Sequence, residues 1–69
     1  MRARISILDA TQTLIGPAIG LVQAGCEVRY FAPDVRARTT PGYRKAMLDR
    51  YLGGGEAEPC FDADRVVYA

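Results

Sequence analysis

The residues from Ile5 to Asp34 place the strongest constraint on the fold. A short apolar run is followed by a polar connection, a stretch with helical apolar spacing, a glycine and a second apolar run. This order is typical of the first strand, helix and strand of a nucleotide-binding α/β domain. Because the chain has 69 residues, it can form one small domain, which we assign to residues 1–69.

The first half of the chain carries clear start and stop signals. Residues 5–8 predict a short strand buried on both faces, and residues 9–13 predict a connection. Gly16 and Pro17 predict the start of a helix, since proline at the first helical position loses no hydrogen bond that the helix needs. Gly25 predicts a left-handed residue that ends this helix.

One glycine inside the predicted helix needs an explanation. Gly20 occupies an interior position, where glycine costs ~1 kcal/mol relative to alanine. We expect it to allow a close approach between the helix and a strand.

The second half predicts one more helix and two strands. Residues 28–31 predict the second strand, and Thr39 or Thr40 is expected to cap the second helix. Residues 53–55, three glycines, predict the end of that helix and a flexible loop. Residues 65–68 predict a third strand.

The resulting order is β-α-β-α-β, which places the chain in the α/β class. It predicts a short parallel three-stranded sheet, half of a Rossmann-like doubly wound domain. Two helices can cover one face of such a sheet, whereas a parallel sheet is normally covered on both. We therefore expect a fragment, or a chain that completes its sheet with a partner chain or as a homo-oligomer.

The charge distribution gives little support to binding of nucleic acids or membranes. The formal net charge is +1, which predicts neither nucleic-acid nor membrane binding. Six basic residues lie between positions 29 and 50, and four acids between positions 56 and 64. We interpret them as a solvated face and an acidic loop, with a phosphate-facing basic patch as the alternative. Asp62 and Asp64 could bind a cation, but we expect them to face water, and we assign no metal site.

The compartment is predicted from the cysteines and from the hydropathy pattern. Cys26 and Cys60 form no CxxC pair, and no stretch approaches the ~20 apolar residues of a membrane span. No secretory signal is recognised at the amino end. We expect a cytoplasmic protein in which both thiols are reduced.

The segment GPAIGLVQAGCEVRYFAPD resembles the amino-terminal domain of the GT-B glycosyltransferases. In that family a helix with small residues, G-H-E-V and a strand ending in A-P recur. Here residues 25–28 read G-C-E-V, residues 31–33 read F-A-P, and residues 64–68 resemble a later D-x-V-V strand. The resemblance implies an acceptor-binding half, with the nucleotide-sugar donor held mainly by a carboxy-terminal domain.

The resemblance does not supply a catalytic residue of the usual type. Family members often place a catalytic histidine in the loop after the first strand, but this chain has no histidine, and Cys26 stands in the G-H place. Asp9, at the end of the first strand, is the carboxylate nearest to that loop. It is our candidate catalytic residue, with ordering of the loop as the alternative role.

The same segment also looks like a NAD(P)-binding dehydrogenase. Asp34 lies 18 residues beyond Gly16, close to the ~20 expected for the acid that binds the ribose. The G-x-G-x-x-G fingerprint is missing, however, and Thr11 and Thr13 would crowd the tight turn that it forms.

The predicted helix start could still hold a phosphate group. The amides of residues 13–16 and the hydroxyls of Thr11 and Thr13 are candidate donors. The candidate cofactor-binding residues are therefore Thr11, Thr13, Gly16 and Asp34, for a nucleotide sugar or, less well, NAD(P).

Three functions follow from these patterns. The first is a partial GT-B-like domain that is not catalytic alone. The second is a dehydrogenase-type Rossmann fragment. The third is a small non-enzymatic interaction module that pairs a sheet edge with a partner chain.

Overall fold

The computed structural model describes residues 2–33 and 41–69. Their order is strand, helix, strand, helix, strand, so the predicted β-α-β-α-β order is confirmed. The capping role expected of Thr39 or Thr40 lies outside the described residues. The elements are β1 (Arg4–Leu8), α1 (Ile15–Gln23), β2 (Glu27–Phe31), α2 (Gly42–Tyr51) and β3 (Arg65–Tyr68).

All three strands are parallel and form one sheet with the order β2-β1-β3. Ile7 of β1 lies opposite Tyr30 on one side and Val67 on the other. β1 is therefore the central strand, between β2 and a strand from later in the chain. In doubly wound domains, a first strand that lies between the second strand and a later one likewise marks the switch point, where ligands bind beyond the carboxyl ends of the strands.

The two helices pack with one face of the sheet around a single core. Ile7 and Tyr30 contribute to this core from the sheet, and α1 and α2 contact each other as well. Ser6 is also fully buried, on the opposite face of β1, so β1 is buried on both faces as predicted. The buried apolar residues are Ile7, Ile15, Ala18, Ile19, Tyr30, Ala32, Leu48 and Leu52.

Residues 56–64 run along the second face of the sheet. After the glycine turn the chain forms an antiparallel bridge between Glu56 and Phe31. The Cys60 amide then donates to the Ser6 Oγ at 3.1 Å. This segment satisfies the buried Ser6 hydroxyl and leads into β3.

The end of α1 has the hydrogen bonds of a Schellman motif. Gly25 has φ of 92°, as expected for a left-handed residue, and its amide donates to the Val22 carbonyl at 3.0 Å. The Cys26 amide donates to the Leu21 carbonyl, also at 3.0 Å. The prediction for Gly25 is confirmed.

Two details of the α1 prediction are wrong. The helix begins at Ile15, so Pro17 is its third residue rather than its first. Gly20 is exposed, and a Cβ at this position would meet no atom within 4 Å. The predicted close approach to a strand does not occur because Gly20 lies on the solvent side of the helix.

The three glycines after α2 form an ordered turn. All have positive φ, at 61°, 77° and 74° for Gly53, Gly54 and Gly55. They end the helix as predicted, and Gly54 and Gly55 are buried, whereas the predicted flexibility of this loop stays a prediction. A Cβ at Gly55 would lie 3.6 Å from both Leu48 and Tyr30.

No helix within residues 2–33 and 41–69 has the length and hydropathy required to cross a membrane.

Candidate functional site

The candidate site is the loop between β1 and α1, residues 9–14, at the carboxyl edge of the sheet. The Asp9 amide donates to the Phe31 carbonyl at 2.8 Å, which fixes the start of the loop beside the end of β2. The Ala10 amide donates to the Ala69 carbonyl at 2.9 Å, which fixes it beside the end of β3. The loop therefore lies where the ends of all three strands meet.

Asp9 is fully buried, and its carboxylate accepts four hydrogen bonds. The Thr11 hydroxyl and the Thr13 amide donate to Oδ1 at 2.8 and 3.2 Å. The Leu14 amide and the Tyr30 hydroxyl donate to Oδ2, each at 2.7 Å. Because a carboxylate offers about four lone-pair sites, these donors use its whole capacity.

The hydrogen bonds decide the ionisation of Asp9. Burial alone would raise the pKa of its carboxyl group, but the Leu14 amide, the Tyr30 hydroxyl and the Thr11 hydroxyl all favour the charged form. The pKa of Asp9 is lowered as a result. Burial, together with the hydrogen bond to this charged group, raises the pKa of Tyr30. At neutral pH the pair is therefore a carboxylate and a neutral phenol.

The two threonine hydroxyls form a chain of hydrogen bonds with Asp9. The Oγ1 atoms of Thr11 and Thr13 are 2.7 Å apart. A hydroxyl has one proton, and Thr11 donates its proton to Asp9, so Thr13 must donate to Thr11. Both residues are exposed. What they still present to solvent is acceptor lone pairs.

Gln12 has an unusual backbone conformation in the middle of the loop. Its φ is 56°, in the left-handed region, which costs a non-glycine residue ~1–2 kcal/mol. The residue is buried, and its backbone amide donates to the backbone carbonyl of Asp9 at 3.3 Å. The left-handed turn brings Thr11 and Thr13 to the same side of Asp9.

The structure brings together three of the five residues predicted for the site. Asp9, Thr11 and Thr13 form one hydrogen-bonded cluster. Gly16 is an exposed residue in the first turn of α1, with open space where a Cβ would stand. Asp34 lies outside the described residues. The catalytic role of Asp9 stays a prediction, and the geometry gives its carboxylate the role of ordering the loop.

The helix start offers fewer amides to an anion than the sequence suggested. The Thr13 and Leu14 amides already donate to Asp9, and the Ile15 and Gly16 amides remain. Leu14 provides no side-chain cap, and the carboxylate of Asp9 instead accepts from the Leu14 amide at the helix start, where a negative charge is favoured. An incoming phosphate would therefore meet a negative charge already seated at the helix start.

Tyr30 is the site residue that the sequence analysis missed. Its ring is part of the core and its hydroxyl reaches Asp9 across the two strands. A tyrosine inside an apolar run gives a weak signal, since a buried phenol usually finds a polar partner. The sequence does not say which partner.

Neither a metal site nor a disulfide is formed by the described residues. No group of three or more Cys, Asp or Glu side chains in these two ranges could hold a metal ion. Cys26 and Cys60 are both free thiols.

We compared the chain with protein-family models, curated protein sequences and solved structures, and none of these matched.

Proposed function

We propose that this chain is the acceptor-side half of a GT-B-like glycosyltransferase and that residues 9–14 contact the hydroxyl groups of the acceptor. The observation that carries the proposal is the chain of hydrogen bonds from Thr13 to Thr11 to Asp9. It uses both threonine protons inside the loop. The lone pairs that remain exposed suit a ligand that donates hydrogen bonds.

This arrangement favours a sugar over a phosphate. A phosphate anion is an acceptor at neutral pH, so it would face lone pairs on Thr11 and Thr13 and the charge of Asp9. A sugar or other polyol carries hydroxyl protons and no charge, and it can donate to both threonines. The same reasoning disfavours dinucleotide binding, in which the pyrophosphate sits at this helix start.

The position of the loop in the sheet gives independent support. Residues 9–14 follow the central strand at its carboxyl end, where doubly wound domains bind their ligands. The family resemblance implies the acceptor at this half of the enzyme. The position therefore supports a ligand site at residues 9–14, and the resemblance supplies the class of ligand.

We also propose that this chain alone does not catalyse glycosyl transfer. A general base needs a free lone pair within hydrogen-bonding reach of the proton that it takes. All four acceptor positions of Asp9 are used by the protein itself. Within the described residues, the loop therefore offers no unoccupied carboxylate, and the donor and the base would come from a second domain.

A non-enzymatic interaction module is the second candidate, and the edge of the sheet favours it. Among the described residues, β3 pairs only with β1, so its outer edge has no partner there. Val67 is 37% exposed and Tyr68 is 68% exposed on this strand. An edge of this kind can add a strand from another chain.

Calorimetric titration with three ligand classes tests the proposal. Methyl α-glucoside and sucrose represent acceptors, UDP-glucose represents a donor, and NAD represents a dinucleotide. We expect weak, saturable binding of the two glycosides. Thr13→Val should lower their affinity severalfold, and Thr13→Ser should retain it, because serine keeps the hydroxyl. Tighter binding of UDP-glucose or NAD than of the glycosides would contradict it. Binding of none of them, with a concentration-dependent dimer, would favour the interaction module.

A further inference from the structure

A second polar feature lies at the opposite, amino-terminal edge of the sheet. The starts of β1 and β2 line a cavity of about 80 Å³ together with residues 56–64, the crossing segment that leads to β3. This volume corresponds to two or three water molecules at ~30 Å³ each, enough for a phosphate or a carboxylate group. The cavity is lined by Arg4, Ile5, Glu27, Arg29, Cys60 and Ala63.

Both arginines hold the crossing segment through its backbone. Nη2 of Arg4 donates to the Asp62 carbonyl at 2.9 Å, and Nη1 of Arg29 reaches the Glu58 carbonyl at 3.4 Å. The crossing segment is thereby held over the sheet, and both arginines line one cavity.

These contacts leave N–H donors on both guanidinium groups. A guanidinium has five N–H donors, and each of these two gives one to a carbonyl. Neither Arg4 nor Arg29 forms a salt bridge in the described part of the chain, whereas Lys45 and Asp49 do, at 3.2 Å. Two arginines with spare donors therefore line the same small space.

The nearby carboxylates differ in how far they are already engaged. Asp62 Oδ1 accepts a hydrogen bond from the Cys60 thiol at 2.6 Å, and Asp64 Oδ2 accepts one from the Arg4 amide at 2.8 Å. The Cys60 thiol, and next the charges of Arg4 and then Arg29, lower the pKa of Asp62, so this carboxylate lies near both arginines. Glu27 lines the cavity itself, so both Glu27 and Asp62 would oppose a bound anion.

We propose that this cavity binds a small oxyanion, such as a phosphate or a carboxylate group, between the guanidinium groups of Arg4 and Arg29. Arginine suits this task because its planar fork matches two oxygens of such a group. Cys60 lies on the wall of the cavity, so its thiol becomes less accessible when the anion is bound. The site is separate from residues 9–14 and does not depend on the function proposed for them.

Thiol alkylation measures occupancy without an identified natural ligand. The full chain is treated with iodoacetamide, a neutral reagent, in increasing sodium phosphate or sodium acetate, with sodium chloride holding the ionic strength constant. Mass spectrometry follows Cys60 and Cys26 separately. We expect saturable slowing at Cys60, by threefold or more, with Cys26 unchanged. The phosphate and acetate series show which oxyanion is preferred.

Variants that remove a positive charge and a variant that removes a negative charge should change the protection in opposite directions, which makes the test specific. Arg29→Gln should weaken the protection of Cys60 about tenfold, since it removes one guanidinium, and Arg29→Lys should lie between Arg29→Gln and the original chain. Glu27→Gln should strengthen protection, because it removes the opposing charge. Arg50→Gln, on α2 and away from the cavity, changes the net charge equally and should have no effect. Circular dichroism confirms that each variant is folded.

Several results would overturn the proposal. One is the absence of saturable protection of Cys60 by either anion. A second is equal slowing of both thiols, which would indicate a global or ionic-strength effect. A third is the same loss of protection in Arg50→Gln as in Arg29→Gln, because net charge would then explain the result.

Discussion

The hydroxyl of Tyr30 donates a 2.7 Å hydrogen bond to the buried carboxylate of Asp9. It joins two neighbouring parallel strands at the edge where the candidate loop begins. The phenyl ring contributes to the core, while the hydroxyl helps to hold Asp9 in its charged form. Core packing and the geometry of the site are therefore linked through one side chain.

Removing this hydroxyl should weaken the fold. We expect Tyr30→Phe to lower the free energy of unfolding by ~1.5–3 kcal/mol, the usual contribution of a hydrogen bond to a charged group. Tyr43→Phe is the matched control, because Tyr43 is 69% exposed and should change stability by less than ~0.5 kcal/mol. Urea unfolding followed by circular dichroism measures both. Equal stability of the two variants would show that the Tyr30–Asp9 bond contributes little.

Stability should fall on both sides of neutral pH. The pKa of Asp9 is lowered from 3.8 by folding, so its contribution is present above that value and is lost as the pH falls through the folded pKa. The pKa of Tyr30 is raised from 10.0, so its contribution is present below pH 10 and is lost above it. Urea midpoints across the pH range measure the profile, and Tyr30→Phe should remove most of the alkaline decrease. An unchanged alkaline decrease in this variant would contradict the assignment to Tyr30.

Two glycines of the first helical segment should respond in opposite directions to alanine. Gly20→Ala should stabilise the chain by up to ~1 kcal/mol, because the position is helical and open to solvent. Gly25→Ala should destabilise it by ~1–2 kcal/mol, because φ is 92° there. Thermal unfolding of the two variants measures the difference. A loss of stability in Gly20→Ala would indicate that this position is not exposed.

The core contribution of α2 should come from one side of the helix. Leu48 is fully buried, so Leu48→Ala should cost ~2–5 kcal/mol, which is comparable with the ~3–5 kcal/mol expected for a core of this size. The neighbouring Met47 is 39% exposed, and Met47→Ala should have a much smaller effect. Far-UV circular dichroism at 25 °C should show Leu48→Ala largely unfolded and Met47→Ala folded. The reverse order would contradict the packing of α2.

The sequence predicts elements with local signals well. The strand at residues 5–8, the glycine that ends α1 and the parallel β-α-β-α-β order could all be recognised because alternation, spacing and glycine position are local properties. The exposure of Gly20 could not, since it depends on which side of the helix meets the sheet. The burial of Gly55 against Tyr30 likewise depends on tertiary packing.

The candidate site was only partly predictable for the same reason. Asp9, Thr11 and Thr13 are close in sequence, so their grouping follows from the loop itself. The contribution of Tyr30 comes from 21 residues away and requires the register of β1 and β2. The pair of arginines at the amino edge also depends on that register, together with the path of the crossing segment.

Contact between residues 9–14 and a neutral, hydroxyl-rich acceptor can be observed directly. The most direct measurement is a ¹H–¹⁵N correlation spectrum of the isotopically labelled full chain, titrated first with methyl α-glucoside and then separately with UDP-glucose. We expect saturable shifts of the amides of residues 10–15 with the glycoside and weaker or no shifts there with UDP-glucose. Shifts of these amides with UDP-glucose alone, or glycoside shifts confined to other parts of the chain, would contradict it.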